Sequence, residues 1–282
     1  MEGFISIISL NVGLSSTLAG ISEIATCYNV DIILLQEVRL SNNQLGALLG
    51  KLGYNSEVNV NIEMPSRPGT AIAWKKSLPV SEVYTLVVGR LQIALLGKVA
   101  VINVYSPSGS EKKQERHLFF KHDVFHVFNM FPGFSYVLSG DFNCCLSPLD
   151  IEKGTGFNQK FCSSLKELVV GKRLLDAYRF KYPGGREFTF HRPGRASSRL
   201  DRFYLSSHLA ETFSISHIAS LSDHSAVLLR VKLLFNRIRN VQGKSQTYWK
   251  LNNAILCEEE FLPAFKQLWN ELIRYNVSYP CI

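Results

Sequence analysis

Short apolar runs alternate with polar, glycine-bearing breaks along the first 234 residues. Residues 4–12 (FISIISLNV) and 31–38 (DIILLQEV) are apolar on both faces and read as buried strands. Between them, residues 15–28 place Leu18, Ile21, Ala25 and Tyr28 on one helical face, and helical spacing returns at 42–52. Strands are expected at 54–60, 69–75, 80–88, 90–96 and 98–105. Residues 111–131 read as one amphipathic helix with Leu118, Phe119, Phe125 and Phe128, and 135–140 as a strand running into Asp141. A helix follows at about 158–170, then a hairpin of 187–192 and 197–206 around Pro193-Gly194. Strands at 212–219 and 224–234 close this part of the chain. Several strands follow one another directly, which predicts mixed sheets covered by helices rather than a doubly wound sheet.

After Leu234 the pattern changes. NRIRNVQGKSQ is polar, basic and linker-like, and residues 258–274 put Phe261, Phe265, Leu268, Trp269 and Leu272 on one helical face. The expected division is a domain over 1–235, then a linker and amphipathic helix over 236–282.

Composition narrows the partners. With 46% hydrophobic residues among 282, a sizeable core is available. The formal charge of +8 favours a polyanion such as nucleic acid. Cys27, Cys144, Cys145, Cys162, Cys257 and Cys281 include no C-x-x-C pair, which fits a reducing compartment rather than a disulfide framework. The N-terminus lacks a signal-peptide pattern, and no run approaches ~20 apolar residues, so no membrane span is expected. An intracellular protein is expected, with no clear nuclear import cluster.

Polar residues recur where the strands end. Asn11 follows the first strand, Glu37 ends the second, and Tyr105 ends VAVINVY. Asp141 and Asn143 follow YVLSG, Asp201 lies in SRLDRFYLS, and Asp223-His224 open the last strand. Ligands bind where strand ends of an α/β sheet gather. The set suits phosphodiester hydrolysis. Carboxylates hold a hard divalent cation through oxygen or take a proton from the nucleophile, while neutral donors and a histidine meet charge on the phosphate.

The series Asn11-Val12, Gln36-Glu37, Asn103-Val104-Tyr105-Ser106-Pro107, Gly140-Asp141-Phe142-Asn143, Ser198-Arg199-Leu200-Asp201 and Ser222-Asp223-His224-Ser225 resembles the endonuclease/exonuclease/phosphatase superfamily. Each motif alone is weak; their order over residues 4–234 makes the likeness specific. The resemblance implies an α/β fold, a four-layer α/β sandwich with two facing mixed β-sheets and Mg²⁺ (Mn²⁺ substituting) at their shared rim. Gly156-Phe157-Asn158, Leu175-Asp176-Ala177-Tyr178-Arg179, Glu187-Phe188-Thr189-Phe190 and Tyr248-Trp249-Lys250-Leu251-Asn252-Asn253 are most similar to endonucleases of LINE-type (non-LTR) retrotransposons.

That likeness implies a nick in double-stranded DNA leaving a 3′-hydroxyl for target-primed reverse transcription. It also implies action in the nucleus, with a reverse transcriptase in the full-length protein and element RNA engaged through it. Glu37 becomes the principal metal ligand, with Asn11 and Asp223 beside the metal. Tyr105 and Asn143 meet the phosphate or the water, Asp141 activates the water or handles the leaving-group proton, and Asp201 orients His224 on the phosphate. Thr189 and Ser198 would touch DNA. Arg192, Arg195, Arg199 and Arg202 are expected to reach it from the hairpin. Gly13 stands where related nucleases often carry an acidic or amide residue. The rival readings are an abasic-site repair enzyme, a phosphoinositide or sphingolipid phosphodiesterase, and a DNA-binding module that has lost catalysis.

Other patterns are weaker. His122-Asp-Val-Phe-His126 has zinc-protease spacing but Asp in place of Glu and no clear third ligand. Gly154-Thr-Gly156 lacks a preceding strand and a third glycine, so it is not read as a nucleotide loop. Asp176 and Arg179 read as a structural pair at a helix end, and Cys144 and Cys145 as small residues near the site rather than nucleophiles.

Overall fold

The computed structural model describes residues 3–13, 18–61, 63–64, 67–152, 163–191, 194, 196–233, 263 and 266–267. The chain divides into two compact units, Met1–Arg237 and Ile238–Ile282. In the second, Pro263, Lys266 and Gln267 are helical and exposed. The expected apolar stripe there and the YWKLNN segment lie outside the described residues, as do residues 154–158.

The first unit runs β1 (Gly3–Asn11), α1 (Leu18–Cys27), β2 (Ile32–Val38), α2 (Asn42–Gly50), β3 (Tyr54–Asn59) and β4 (Gly69–Lys75). Then come β5 (Val80–Val87), β6 (Leu91–Leu96), β7 (Val99–Tyr105), α3 (Lys113–Leu118), a π turn (Phe119–Val124), α4 (Phe125–Met130) and β8 (Ser135–Asp141). It closes with α5 (Ser163–Gly171), β9 (Leu174–Asp176), α6 (Ala177–Lys181), β10 (Asp201–Ser206), β11 (Phe213–Ile218) and β12 (Ala226–Leu233). One six-stranded sheet has the order β11-β12-β1-β2-β4-β3, the other β5-β6-β7-β8-β10-β9. β1–β2 and β7–β8 pair parallel, and their neighbours pair antiparallel. The expected pair of mixed sheets is present.

The period-two alternation of each strand builds the layers. Ile5, Ile7, Ile32, Leu34 and Ile72 of the first sheet share a core with Val99, Val101, Val137, Phe203 and Leu205 of the second. The opposite faces take the helices. Ile8, Leu10, Ile33 and Leu35 pack with Ile21 and Ala25 of α1 and Leu45 and Leu49 of α2. Ile102, Val104, Leu138 and Tyr204 pack with Phe119, Phe120, Val127 and Phe128 and with Leu165 of α5. The result is helix, sheet, sheet, helix.

The inner face changes character along the strands. Towards one end the inward positions become Ser9, Gln36, Asn103 and Ser139, all fully buried. Gln36 donates to Asn103 Oδ1 at 2.7 Å and Ser9 Oγ at 3.1 Å, and Asn103 donates to the carbonyls of Leu35 and Ala71. This polar seam stitches the sheets together directly beneath the strand ends that carry the candidate chemistry.

Several expectations are corrected. The single helix over 111–131 is broken by the π turn, whose wider winding rotates the buried face. Phe119, Phe120, Val124, Val127 and Phe128 are therefore buried, while Leu118 and Phe125 are exposed. Among the described residues, the hairpin of 187–192 and 197–206 shows one bridge, Phe190 to Ser198; Phe190 also bridges His224, and β10 begins at Asp201. β9 is an addition to the expected elements, and α6 follows the helix end expected at Asp176 and Arg179; three and five residues long, both are too short to show a period.

Candidate active site

Two neighbouring strand registers line up the second sheet's share of the site. Tyr105 of β7 pairs with Asp141 of β8, and Asp141 pairs with Asp201 of β10. All three take inward positions at one rim. Asn11 ends β1 on the facing sheet, in register with Gln36 of β2.

Glu37 needs a special device. Gln36 points inward, so in a regular strand Glu37 would point out toward the helices. A bulge between Gln36 and Val38 and a backbone φ of 60° at Glu37 break the alternation. Val38 then joins the outer core, and the Glu37 carboxylate turns to the rim. A positive φ at a non-glycine residue costs on the order of 1–3 kcal/mol, and such strain is concentrated at functional sites. Glu37 Oε1 accepts from Asn11 Nδ2 at 3.2 Å and from the Tyr105 hydroxyl at 3.1 Å.

Asp141 is fully enclosed. Its Oδ1 accepts the Asn143 backbone N–H at 2.9 Å, and its Oδ2 accepts Asn11 Nδ2 and Asn143 Nδ2, each at 3.0 Å. Burial, then the nearby Asp201 carboxylate, pushes its pKa up to about 6, against His224 and the three amide donors. Asn143 adopts a left-handed φ of 47° that asparagine tolerates, and also donates to the Ser106 carbonyl at 3.1 Å. Gly140 is required before it. At φ 137° an added Cβ would lie 1.9 Å from the Val104 carbonyl oxygen.

His224 Nδ1 lies 2.8 Å from Asp201 Oδ2, with both residues buried. Burial alone would lower the imidazole's pKa. Asp201, with Asp141 and Asp223, overrides it and raises the value to about 10. The histidine is therefore an imidazolium at neutral pH. Tyr105 is shifted the other way in charge. Burial and then Glu37 push its hydroxyl up to about 12, so it stays a neutral donor.

Ligand atoms of Asp141, Asp201 and His224 lie within 4.8 Å of one another and could geometrically hold an ion. Within the trio, Nδ1 of His224 is already engaged by Asp201 Oδ2 at 2.8 Å. The better cation donor is Glu37. Among the described residues its second oxygen receives no hydrogen bond, and its hard oxygen chemistry fits Mg²⁺-type ions. Asp223, exposed, places its carboxylate over Gly13, where a Cβ would lie 3.6 Å from Oδ1 and 3.4 Å from Ser222 Oγ. Gly13 also has φ 53°, so a side chain there would be strained as well as crowded.

The residues expected to contact DNA fare differently. Thr189 is fully buried, and its hydroxyl accepts the backbone N–H groups of Leu200 and Asp201, each at 3.0 Å. Its carbonyl accepts from Ser225 N, so it buckles the Asp201 segment to the His224 segment. Arg199 and Arg202 are also buried, not surface cations. Arg199 pairs with Asp150 and Asp176, Arg202 with Asp150, and Arg179 with Asp150. Asp176 caps α6 through the Arg179 N–H, but its ion pair is with Arg199. Burial raises Asp150's pKa and the arginines more than reverse this, leaving it well below the usual carboxylate range. Ser198 is half-buried in its bridge with Phe190, and Arg192 and Arg195 lie outside the described residues.

Sequence patterns did not single out Asp150, whose charge meets three arginines distant in the chain. They also missed Arg90, whose guanidinium lies over the Tyr105 ring. A lone charge in a turn carries no periodic signal.

A two-sheet sandwich with carboxylates from both sheets and an aspartate-held imidazolium at one rim is the architecture of a phosphoester hydrolase. The chain belongs to the endonuclease/exonuclease/phosphatase family, whose model matches residues 8–224. It is an enzyme of that family, which depends on divalent metal. It is similar to the Transposon TX1 uncharacterized 149 kDa protein of Xenopus laevis, at 31% identity over 176 residues. That match covers 60% of this chain and 12% of the frog protein's length. Solved structures with the same fold include an AP endonuclease from Archaeoglobus fulgidus, at TM-score 0.69 and 22% identity, covering 80% of this chain and 98% of that one. A 3′ phosphatase from Neisseria bound to product DNA hairpin has TM-score 0.69 and 21% identity, with the same coverage. The AP endonuclease LMAP from Leishmania major has TM-score 0.68 and 18% identity, covering 82% and 88%.

Proposed function

We propose that this chain is the DNA endonuclease of a LINE-type retrotransposon. In this reading it nicks one strand of double-stranded DNA, leaving 5′-phosphate and a 3′-hydroxyl that primes reverse transcription. The convergence of Glu37, Asp141 and the Asp201–His224 pair at one rim carries the hydrolytic part. The transposon relative and the +8 charge support the DNA part. A reverse transcriptase following this domain, element RNA bound through it, and action in the nucleus belong to the same reading.

Glu37, with Asn11 hydrogen-bonded to it and Asp223 beside Gly13, would hold Mg²⁺, and Mn²⁺ in its place. When bound, such an ion neutralises phosphate charge and acidifies a bound water. Asp141, already close to neutral range, takes the attacking water's proton. Asn11 and Asn143 fix both of its oxygens in place while it does so. His224 presents positive charge to the phosphate, kept protonated and oriented by Asp201. The Tyr105 hydroxyl, neutral at working pH, holds Glu37 in position and is available to a phosphate oxygen.

The test is conversion of supercoiled plasmid to open circle with Mg²⁺. Loss of nicking with EDTA is expected, and indifference to EDTA would contradict the reading. Cleavage at abasic sites is a second reading, supported by the fold likeness to two AP endonucleases. A strong preference for an abasic duplex over an intact one would select it.

A further inference from the structure

Arg90 lies in the turn between β5 and β6, outside every motif of the site. Its guanidinium carbon sits 4.6 Å from the centroid of the Tyr105 ring. Its Nη1 reaches the carbonyls of Tyr105 and Ser106 at 3.4 and 3.3 Å, and its own carbonyl accepts the Tyr105 N–H at 2.8 Å. One residue thus grips the Tyr105 backbone from both sides and covers one face of its ring. A planar guanidinium suits both tasks, since it stacks on an aromatic face while donating in its own plane.

The turn is itself anchored to the other sheet. Asn59, buried at the end of β3, accepts the Gly89 N–H at 2.8 Å and donates to the Val87 carbonyl at 2.9 Å and to Thr70 Oγ1 at 3.2 Å. Gly89 has φ 71°, and a Cβ there would meet the Pro68 carbonyl at 3.4 Å. Arg90 is therefore fixed relative to the sheet that supplies Glu37, and Tyr105 belongs to the sheet that supplies Asp141. The Tyr105 hydroxyl in turn donates to Glu37 at 3.1 Å.

We propose that Arg90 is a positioning residue for catalysis: by clamping the Tyr105 ring it sets the distance between the Tyr105 hydroxyl and Glu37, and so the alignment of the two sheets' contributions. It acts through Tyr105 rather than by gripping DNA. The catalytic part of this inference rests on the endonuclease reading above; the clamp itself does not.

The experiment is a double-mutant cycle on plasmid nicking, with a structural readout beside it. Arg90→Met keeps the bulk and removes the cation and its donors. It should lower kcat roughly 10-fold with KM changed less than about 2-fold, and Arg90→Lys, which keeps a cation over the ring, should recover most of the loss. In a Tyr105→Phe background the same Arg90→Met change should cost less than about 2-fold, because the hydroxyl it positions is gone. An equal loss in both backgrounds, or a loss confined to KM, overturns the proposal. The second readout needs no activity. With 3-fluorotyrosine at position 105, the ¹⁹F resonance should shift or broaden in Arg90→Met and return toward its place in Arg90→Lys. An unmoved, equally narrow line would show that Tyr105 holds its position without Arg90 and would also overturn the proposal. Absence of nicking by the unmutated protein would count against the endonuclease reading, while the ¹⁹F comparison would still decide the clamp.

Discussion

Asp201 and Asp150 are both buried aspartates beside cations, yet they do opposite work. In the proposed mechanism Asp201 holds a charge that is used, whereas Asp150 ties three arginines together. Replacing Asp201 with Asn removes the main cause of His224's raised pKa and leaves burial, which lowers it. The alkaline limb of the pH–rate profile, expected near 10 in the native enzyme, should therefore move toward neutrality, and an unmoved limb would contradict the role given to Asp201. The acid limb should fall near 6, where Asp141 loses its ability to accept a proton. For stability the sign for His224 is the reverse of a carboxylate's. Its contribution is complete below the unfolded value of 6.5 and is lost as pH rises through about 10. Asp150, depressed, stabilises above the unfolded value of 3.8, and that contribution is lost as pH falls. Asp150→Ala removes a carboxylate shared by three arginines and leaves the buried Arg202 without its ion pair, although Arg199 keeps Asp176, and should cost about 3–5 kcal/mol in urea unfolding. A change below ~1 kcal/mol would show that the cluster does not brace the fold.

At this scale the sequence was readable where polar residues interrupt apolar strands. Asn11, Tyr105, Asp141 and Asp201 stand out against their neighbours, and the structure gathers them. Arg199 and Arg202 are not the surface cations expected, because a basic residue looks the same in sequence whether it faces solvent or a buried carboxylate. Only the distant Asp150 and Asp176 decide it.

Elements with a full period were legible and short ones were not. β1, β2, β7 and β8 were placed within a residue or two, because each alternates into two separate cores. The π turn was hidden, since one extra residue within a turn leaves no compositional mark, yet it changes which phenylalanines are buried. The bulge at Glu37 was equally silent in the sequence. The close approach of β7 and β8 at Gly140 gives a test at this level. Gly140→Ala places a methyl group into the Val104 carbonyl and forbids φ 137°. The strands must part, and Asp141 moves with them. A loss of at least ~2 kcal/mol in stability is expected, with nicking reduced even under conditions where the protein stays folded. Native stability and activity together would mean that the register here is looser than described.

At the scale of the whole molecule, every residue of the site lies in the unit Met1–Arg237. We propose that this unit is the nuclease and that the remainder leads toward further protein. A shortened chain ending at Arg237 should then fold and cut at the same positions as the 282-residue chain. If it unfolds, the later residues belong to the nuclease core. DNA binding should weaken linearly in log affinity against log salt, as expected for contacts mainly to phosphates. A flat salt dependence would remove the +8 charge from the explanation of binding.

The most direct measurement is a plasmid-nicking time course with Mg²⁺, the ends of the cut strand mapped, on the native chain and on Glu37→Ala, Asp141→Ala and His224→Ala. The native chain should give open circles bearing 5′-phosphate and 3′-hydroxyl ends, and each substitution should slow the reaction at least ~100-fold by removing a metal, base or charge contact. Near-native nicking by all three variants, or ends of the opposite polarity, would contradict the assignment of this rim as a site of DNA hydrolysis that leaves a primer.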